Sequence, residues 1–168
     1  MFDWFTARKA KFPALVIAAA QKCQRETGIP ACATLAQWAL ESNYGKALSG
    51  LNNPFGIKWR RSMVYGYKVC KTWEWVAGRG NVVMDQRFVS FPSIEEAFRY
   101  KGKMMSTVPG YYADELREYK THRDWRRYLR DIANTDDDGP GYATDPNYAE
   151  KLINIIETYK LDGYNLAE

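Results

Sequence analysis

Apolar and small residues recur at helical spacing near the start of the chain. Leu15, Val16, Ala19, Ala20 and Cys23 predict a helix over Phe12 to Thr27, which Gly28 ends. Pro30 suits a first helical turn, and Ala33, Ala36, Gln37 and Leu40 carry the same period on to Glu41. The small residues of this second segment permit close packing, as a central helix requires. From Ser42 to Ser62 the periodicity vanishes, and Gly45, Gly50, Asn52, Asn53, Pro54 and Gly56 make a loop. Loops of this length in compact domains are more often functional than idle.

The period then changes from helical to alternating. Val69, Lys71, Trp73 and Trp75 alternate with Cys70, Thr72, Glu74 and Val76, a strand pattern. Ala77 to Asn81 supplies turn residues, and Val82 to Phe91 returns as a second strand. A hairpin is marginal alone, so it must pack on the helices or gain a third strand from about Met63 to Tyr67. Ser93-Ile94-Glu95-Glu96 has the form of a capping box and opens a helix through about Met105, with Ala97, Tyr100 and Met104 on one side. Two shorter helices are expected at about Tyr112 to Tyr119 and Arg123 to Ala133, the latter with Trp125, Tyr128, Leu129 and Ile132 inward. Asn134 to Gly141 reads as a loop. Asn147 to Tyr159 is amphipathic through Tyr148, Leu152, Ile155 and Tyr159, the last packing helix. The layout is a single domain over residues 1–168, mainly helical, with a β-lobe at about 63–91 inserted in the helical body.

Composition narrows the chemistry. A chain of 168 residues buries roughly two-thirds of its unfolded surface and needs no staples. Aromatic residues make up 15%, with 6 Trp and 12 Tyr, which suits the faces of sugar rings, stacked bases or a protein partner. The net charge of +4 is a mild bias toward anionic polymers, far from the basic stripe of a nucleic-acid binder, so no nucleic-acid partner is expected. Cys23, Cys32 and Cys70 fit no zinc spacing, the single His122 cannot complete a set, and pairing of Cys23 with Cys32 stays open. The run Asp136-Asp137-Asp138-Gly139 lacks the spacing and closing Glu of a calcium loop, so no metal is expected. No stretch approaches the ~20 apolar residues of a membrane span, and Met1-Phe2-Asp3-Trp4-Phe5 is unlike a secretory signal. The expectation is a protein made in the cytoplasm without a signal peptide and not inserted in a membrane.

What remains for catalysis is carboxylates. No phosphate-binding glycine loop, nucleophile elbow or paired metal ligands are in the sequence. Hydrolysis of a glycosidic bond needs a proton donor and commonly a second carboxylate. Glu41, at the end of an apolar helix before a glycine break, loses water and holds a proton, which suits the donor. Glu74, between Trp73 and Trp75 on the hairpin, can face the helical body across a groove, with Asp85 on the returning strand in reserve.

Several motifs then carry a resemblance. Ala39-Leu40-Glu41-Ser42 with Gly45-Lys46, Asn52-Asn53 with Phe55-Gly56-Ile57-Lys58, Lys71-Thr72 with Glu74, Phe91, Ser93 and Glu95-Glu96, and Gly141 to Ile153 follow one another in order. Together they resemble the glucosaminidase family of peptidoglycan hydrolases, glycoside hydrolase family 73. The resemblance implies an α+β, lysozyme-like fold whose small β-hairpin lobe borders a substrate groove. It implies Glu41 as general acid, Glu74 as second catalytic carboxylate and Tyr142 beside the acid. Asn52, Asn53 and Phe55 belong to its groove-lining motif; Tyr44, where the family often has Trp, and Trp73 offer stacking faces. The implied reaction, without a cofactor, cuts the β-1,4 bond after N-acetylglucosamine in the wall glycan.

Alternatives stand beside it: a muramidase of the same fold, a phage lysin, or a non-catalytic glycan-binding protein. A wall hydrolase without its own signal resembles an antibacterial effector of a type VI-like secretion machine acting in a target's periplasm. Such an effector needs a cognate immunity protein occluding the groove.

Overall fold

A computed structural model describes residues 11–76, 78–107, 112–133, 142–143 and 145–167, the side chains at 74–76 excepted. Its helices are α1 (Ala14–Thr27), α2 (Ala31–Glu41), α3 (Ile94–Thr107), α4 (Ala113–His122), α5 (Trp125–Ala133) and α6 (Tyr148–Tyr159), followed by a 3-10 turn at Leu161–Tyr164. Between α2 and α3 runs an antiparallel pair, β1 (Gly66–Val76) and β2 (Gly80–Ser90). The expected loop at 134–141 and the first five residues lie outside the described residues.

Helix α2 is the axis of the body. Every residue from Ala31 to Ala39 is buried, and its alanines let α1, α6 and the 3-10 turn approach closely. Pro30 stands at the cap rather than in the first turn, and it offers no side-chain cap. The first free amides are met from elsewhere: Ala31 N donates to Gln24 Oε1 at 3.1 Å and Cys32 N to Asn165 Oδ1 at 2.9 Å. At the other end Ser42 Oγ donates to Trp38 O and accepts from Gly45 N at 2.8 Å. Asn43, Tyr44 and Gly45 then take left-handed φ values of 47°, 57° and 79°, turning the chain sharply away just beyond Glu41. Tyr44 is held there by Phe12 and Tyr159, edge-on at 5.8 and 5.9 Å.

Two faces differ from the periodic reading. Leu15 lies on the outside of α1, 62% exposed, while Phe12, Val16, Ala19, Ala20 and Cys23 face in. In α3 the buried stripe is Ala97, Phe98, Lys101, Gly102 and Met105; Tyr100 and Met104, expected with Ala97, turn to a groove instead. Only half of the capping box forms. Glu96 N donates to Ser93 Oγ at 3.1 Å, but the Glu96 carboxylate is drawn away to Tyr65 and Arg99. Helix α5 buries Trp125, Tyr128, Leu129 and Ile132 as its spacing predicts, and α6 centres its stripe on Tyr148, Leu152, Ile153 and Ile156, leaving Ile155 half-buried.

The hairpin starts earlier than alternation indicated, at Gly66, and its register pairs Cys70 with Gln86 and Trp73 with Val83. No third strand forms from Met63 to Tyr67. The loop before it takes that place: Lys58 bridges Phe88, Val89 N donates to Ile57 O and Trp59 N donates to Arg87 O, both at 2.9 Å.

Helices α1 and α3 meet at Gly102, where an added Cβ would stand 2.4 Å from Cys23 Sγ and 3.3 Å from Thr27 Cγ2. Helix propensity favours alanine there, but overpacking costs about 1–3 kcal/mol and wins. Gly102→Ala is therefore expected to lower the melting temperature by several degrees. Adding Cys23→Ala, which removes the opposing sulfur, recovers most of that loss in a thermal melt; a Gly102→Ala protein melting at or above the parent would refute the contact.

Candidate active site

Beside the exposed end of α2 lies a groove of about 940 Å³. Glu41, Tyr142 and Tyr112 form one end, Phe55 contributes a buried ring, and Tyr65, Tyr100 and Met104 continue the wall. Lys58, Arg60, Arg99 and Lys103 make its flank cationic. Arg99 is committed to Glu96 at 2.5 Å, whereas the side chains of Arg60 and Lys103 have no hydrogen bond or ion pair among the described residues.

Glu41 is the first exposed residue of α2 and keeps one side against the protein. Tyr148 Oη donates to Glu41 Oε1 at 3.0 Å. Loss of water holds the Glu41 carboxyl above the ordinary carboxyl range, opposed by that hydrogen bond and by the charge of Lys101. Gln37, one turn before Glu41 and fully buried, donates from Nε2 to Tyr148 Oη at 3.3 Å, and its Oε1 accepts from Lys101 Nζ. Lys101 is 1% exposed. Burial pulls its ammonium down to about 8, against the opposing influence of Cys23 and Glu41. Its Nζ lies 5.1 Å from the Phe55 ring centre and 5.4 Å from that of Tyr142.

Tyr142 stacks on Tyr148 at 5.4 Å and 21°, and Tyr112 follows at 5.9 Å from Tyr142. Burial and the nearby Glu41 carboxyl push the Tyr142 hydroxyl well above its ordinary range, so it remains a neutral donor at any working pH. An acid, a neutral phenol and a row of rings at one end of a groove can protonate a leaving oxygen and hold a sugar ring beside it.

The residues singled out in the sequence separate into two groups. Glu41, Tyr142 and Phe55 meet in the groove. Asn52 and Asn53 serve the loop itself: Asn53 is fully buried, its Nδ2 donating to Ile57 O and Val89 O and its Oδ1 accepting from Ile57 N, all at 3.0 Å. Asn52 Nδ2 donates to Phe91 O at 3.0 Å. Tyr44 packs with Phe12 and Tyr159 and is not part of the groove lining. Trp73 stands on the hairpin, 71% exposed, and Asp85 pairs with Lys71 at 3.5 Å on an exposed face. Position 74 pairs with Val82 in the hairpin register, and the Glu74 side chain lies outside the described residues.

Gln37, Lys101 and Tyr148 are members of this site that sequence reasoning passed over. Gln37 and Lys101 each carried a signal, a polar residue set in an apolar helical stripe. Tyr148 read as packing. Cys23, Cys32 and Cys70 are free thiols, and among the described residues no group of His, Cys, Asp and Glu could hold a metal ion. No helix among them is long and apolar enough to cross a membrane.

The sequence is 28% identical over 171 residues to an autolysin of Enterococcus faecalis, covering 95% of this chain and 21% of that protein. It is also 28% identical over 152 residues to the peptidoglycan hydrolase FlgJ of Vibrio cholerae, covering 88% of this chain and 42% of FlgJ. The chain thus spans less than half the length of either relative. Among solved structures, the catalytic domain of the autolysin Auto from Listeria monocytogenes superposes with a TM-score of 0.76 at 26% identity, covering 94% of this chain and 87% of that one. A truncated glycoside hydrolase domain of Salmonella typhimurium FlgJ gives 0.68 at 26% identity, covering 92% and 96%. Residues 17–161 match the Glucosaminidase family, described as mannosyl-glycoprotein endo-beta-N-acetylglucosaminidase, and the chain belongs to that family, on a mainly helical α+β, lysozyme-like fold.

Proposed function

We propose that this protein is a peptidoglycan hydrolase that cleaves the β-1,4 bond following N-acetylglucosamine in wall glycan. The observation that carries the reading is Glu41: an acid at the exposed end of a buried helix, opening on a groove, its carboxyl held toward the protonated form by lost water. Family membership and relatives named as an autolysin and a peptidoglycan hydrolase support it. The groove fits the substrate in kind. Its rings suit sugar faces, and its cationic flank suits a polymer whose peptide substituents carry carboxylates.

In this mechanism protonated Glu41 gives its proton to the glycosidic oxygen as the bond to the sugar carbon breaks. Positive charge grows on the departing ring, and a second carboxylate, assigned here to Glu74, stabilises it or activates water. Tyr142 keeps its own proton and can donate a hydrogen bond to substrate beside the acid. Gln37 and Tyr148 hold the acid from behind.

The wider biology is part of the proposal. The enzyme acts as an antibacterial effector in the periplasm of a target bacterium, and an immunity protein protects the producer by filling the groove around Glu41.

Glu41→Gln keeps size and removes the donor, so wall digestion falls by two to four orders of magnitude; an unimpaired variant would remove Glu41 from catalysis. Mass spectrometry of reduced wild-type fragments gives an N-acetylglucosamine end, whereas a muramic end identifies a muramidase.

The pH dependence has a fixed sign. Glu41 works protonated, so kcat/KM falls as pH rises through its pKa, and that alkaline limb lies above the ordinary carboxyl range. The folded state binds this proton more tightly than the unfolded chain does. Stability therefore declines as pH rises from the unfolded-state pKa through the folded one, and Glu41→Gln escapes the decline. A limb at an ordinary carboxyl pKa would contradict the account.

Directed to the periplasm, the protein is expected to lyse cells; retained in the cytoplasm, it is harmless. Growth arrest from the cytoplasmic form alone would exclude the effector role.

A further inference from the structure

A buried lysine with no carboxylate bonded to it is an expensive feature, and Lys101 is one. It sits in the apolar stripe of α3, 1% exposed, and its hydrogen bond is to the amide oxygen of Gln37. Desolvating an ammonium costs several kcal/mol even after relaxation, so an apolar residue of equal length would serve packing better. Rings on two sides, Phe55 and Tyr142, offset part of this cost through their negative faces but direct no proton.

The hydrogen-bond chain gives the lysine a task. An ammonium has donors alone, so the oxygen of the Gln37 amide must face it. The amide nitrogen then faces Tyr148, and the tyrosine oxygen becomes an acceptor. A phenol has one proton, and it is directed to Glu41 Oε1. Each link leaves the next a single orientation. Glu41 Oε1 is therefore fixed as an acceptor, and the acid's own proton falls to Oε2.

We propose that Lys101 is a positioning residue for the general acid: through Gln37 and Tyr148 it sets the direction of the hydrogen-bond chain, and so selects which Glu41 oxygen carries the proton delivered to substrate. The proposal rests on Glu41 acting as the acid and goes beyond it. Without the ammonium, the Gln37 amide is free to turn over and accept from Tyr148, which withdraws that proton from Glu41. The loss of a nearby positive charge acts in the same sense, since Lys101 favours the Glu41 carboxylate.

The charged and titratable groups around Lys101 come from every packed element. Cys23 on α1, its thiol raised by burial, and Glu41 on α2 both favour the ammonium. Tyr148 on α6 and Tyr142 before it are neutral phenols, raised by burial. With the ammonium pulled down to about 8, the chain keeps its direction below that pH.

The test is a carboxyl-carbon NMR titration of Glu41 in the free protein, with kcat/KM against pH on purified wall beside it. Lys101→Met is expected to raise the Glu41 midpoint by about one pH unit and to carry the alkaline limb of kcat/KM up with it. Its melting temperature is expected to hold or rise, since a buried charge is replaced by an apolar side chain of similar length. A folded Lys101→Met protein with an unmoved midpoint overturns the proposal and leaves the lysine a packing residue. If that variant does not fold, Gln37→Glu keeps the ammonium and places an acceptor where the amide nitrogen faced Tyr148, drawing the tyrosine proton away from Glu41; a raised midpoint supports the proposal, and an unmoved one overturns it. The midpoint is read without substrate. A wild-type protein inert on wall therefore overturns the enzymatic reading, while the midpoint alone decides the role of Lys101.

Discussion

Helix α2 has no solvent face along Ala31 to Ala39, and this constraint organises the rest of the molecule. A helix buried all round must be wrapped by others, so α1, α6 and the 3-10 turn close on it. Its start must find hydrogen-bond partners outside the helix, which Gln24 on α1 and Asn165 near the end of the chain provide. At its far end the helix reaches water. Glu41 stands there, and the left-handed turn that follows removes the chain from in front of it.

The same burial explains why the polar residues behind Glu41 form one connected chain. Gln37 is enclosed by the helices around α2, where an unmet amide would cost about 1–3 kcal/mol. Its oxygen and nitrogen are met by Lys101 and Tyr148, and Tyr148 is met in turn by Glu41. Satisfaction of each buried group thus depends on the next one, and the chain ends at the group in contact with the groove. Removing a middle member leaves two neighbours unsatisfied, so the acid's surroundings are stiffer than its exposure alone implies.

Much of this was legible in the chain. The order of helices and hairpin followed from period, and Glu41 could be placed at a helix end beside a break, where its resemblance to a known motif and the physical reading coincide. The misses have local causes. Tyr100 and Met104 share the helical period with Ala97, but a groove and a core are both apolar, and period alone does not say which face meets which. Asn52 and Asn53 entered through the resemblance to a groove-lining motif; in the structure their side chains tie the loop to β2 and Phe91, bonds between distant residues that period does not reveal. Lys101 was hidden by its type. A lysine is read as solvated, and its burial depends on Gln37, a residue 64 positions away.

The two proposed carboxylates are held by different means. Glu41 is fixed by packing, at the end of a helix that cannot shift without disturbing the core. Position 74 is carried by the hairpin, whose buried strand residues among those described are Phe88 and Val89, both in β2 near its base. There Asn53, Ile57 and Trp59 bind β2, and Cys70 Sγ donates to Ser49 O at 2.9 Å. Beyond the base, Trp73, Val83 and Met84 are exposed, so inter-strand pairing alone extends the lobe. Register is the critical property of such an element: a slip by one residue would exchange its two faces, moving position 74 to the side that Trp73 now occupies. Phe88 and Val89 anchor β2 to the body, and on β1 the donation from Cys70 Sγ to Ser49 O opposes the slip. Contacts described at the base of the hairpin therefore support the register on which the face of position 74 depends.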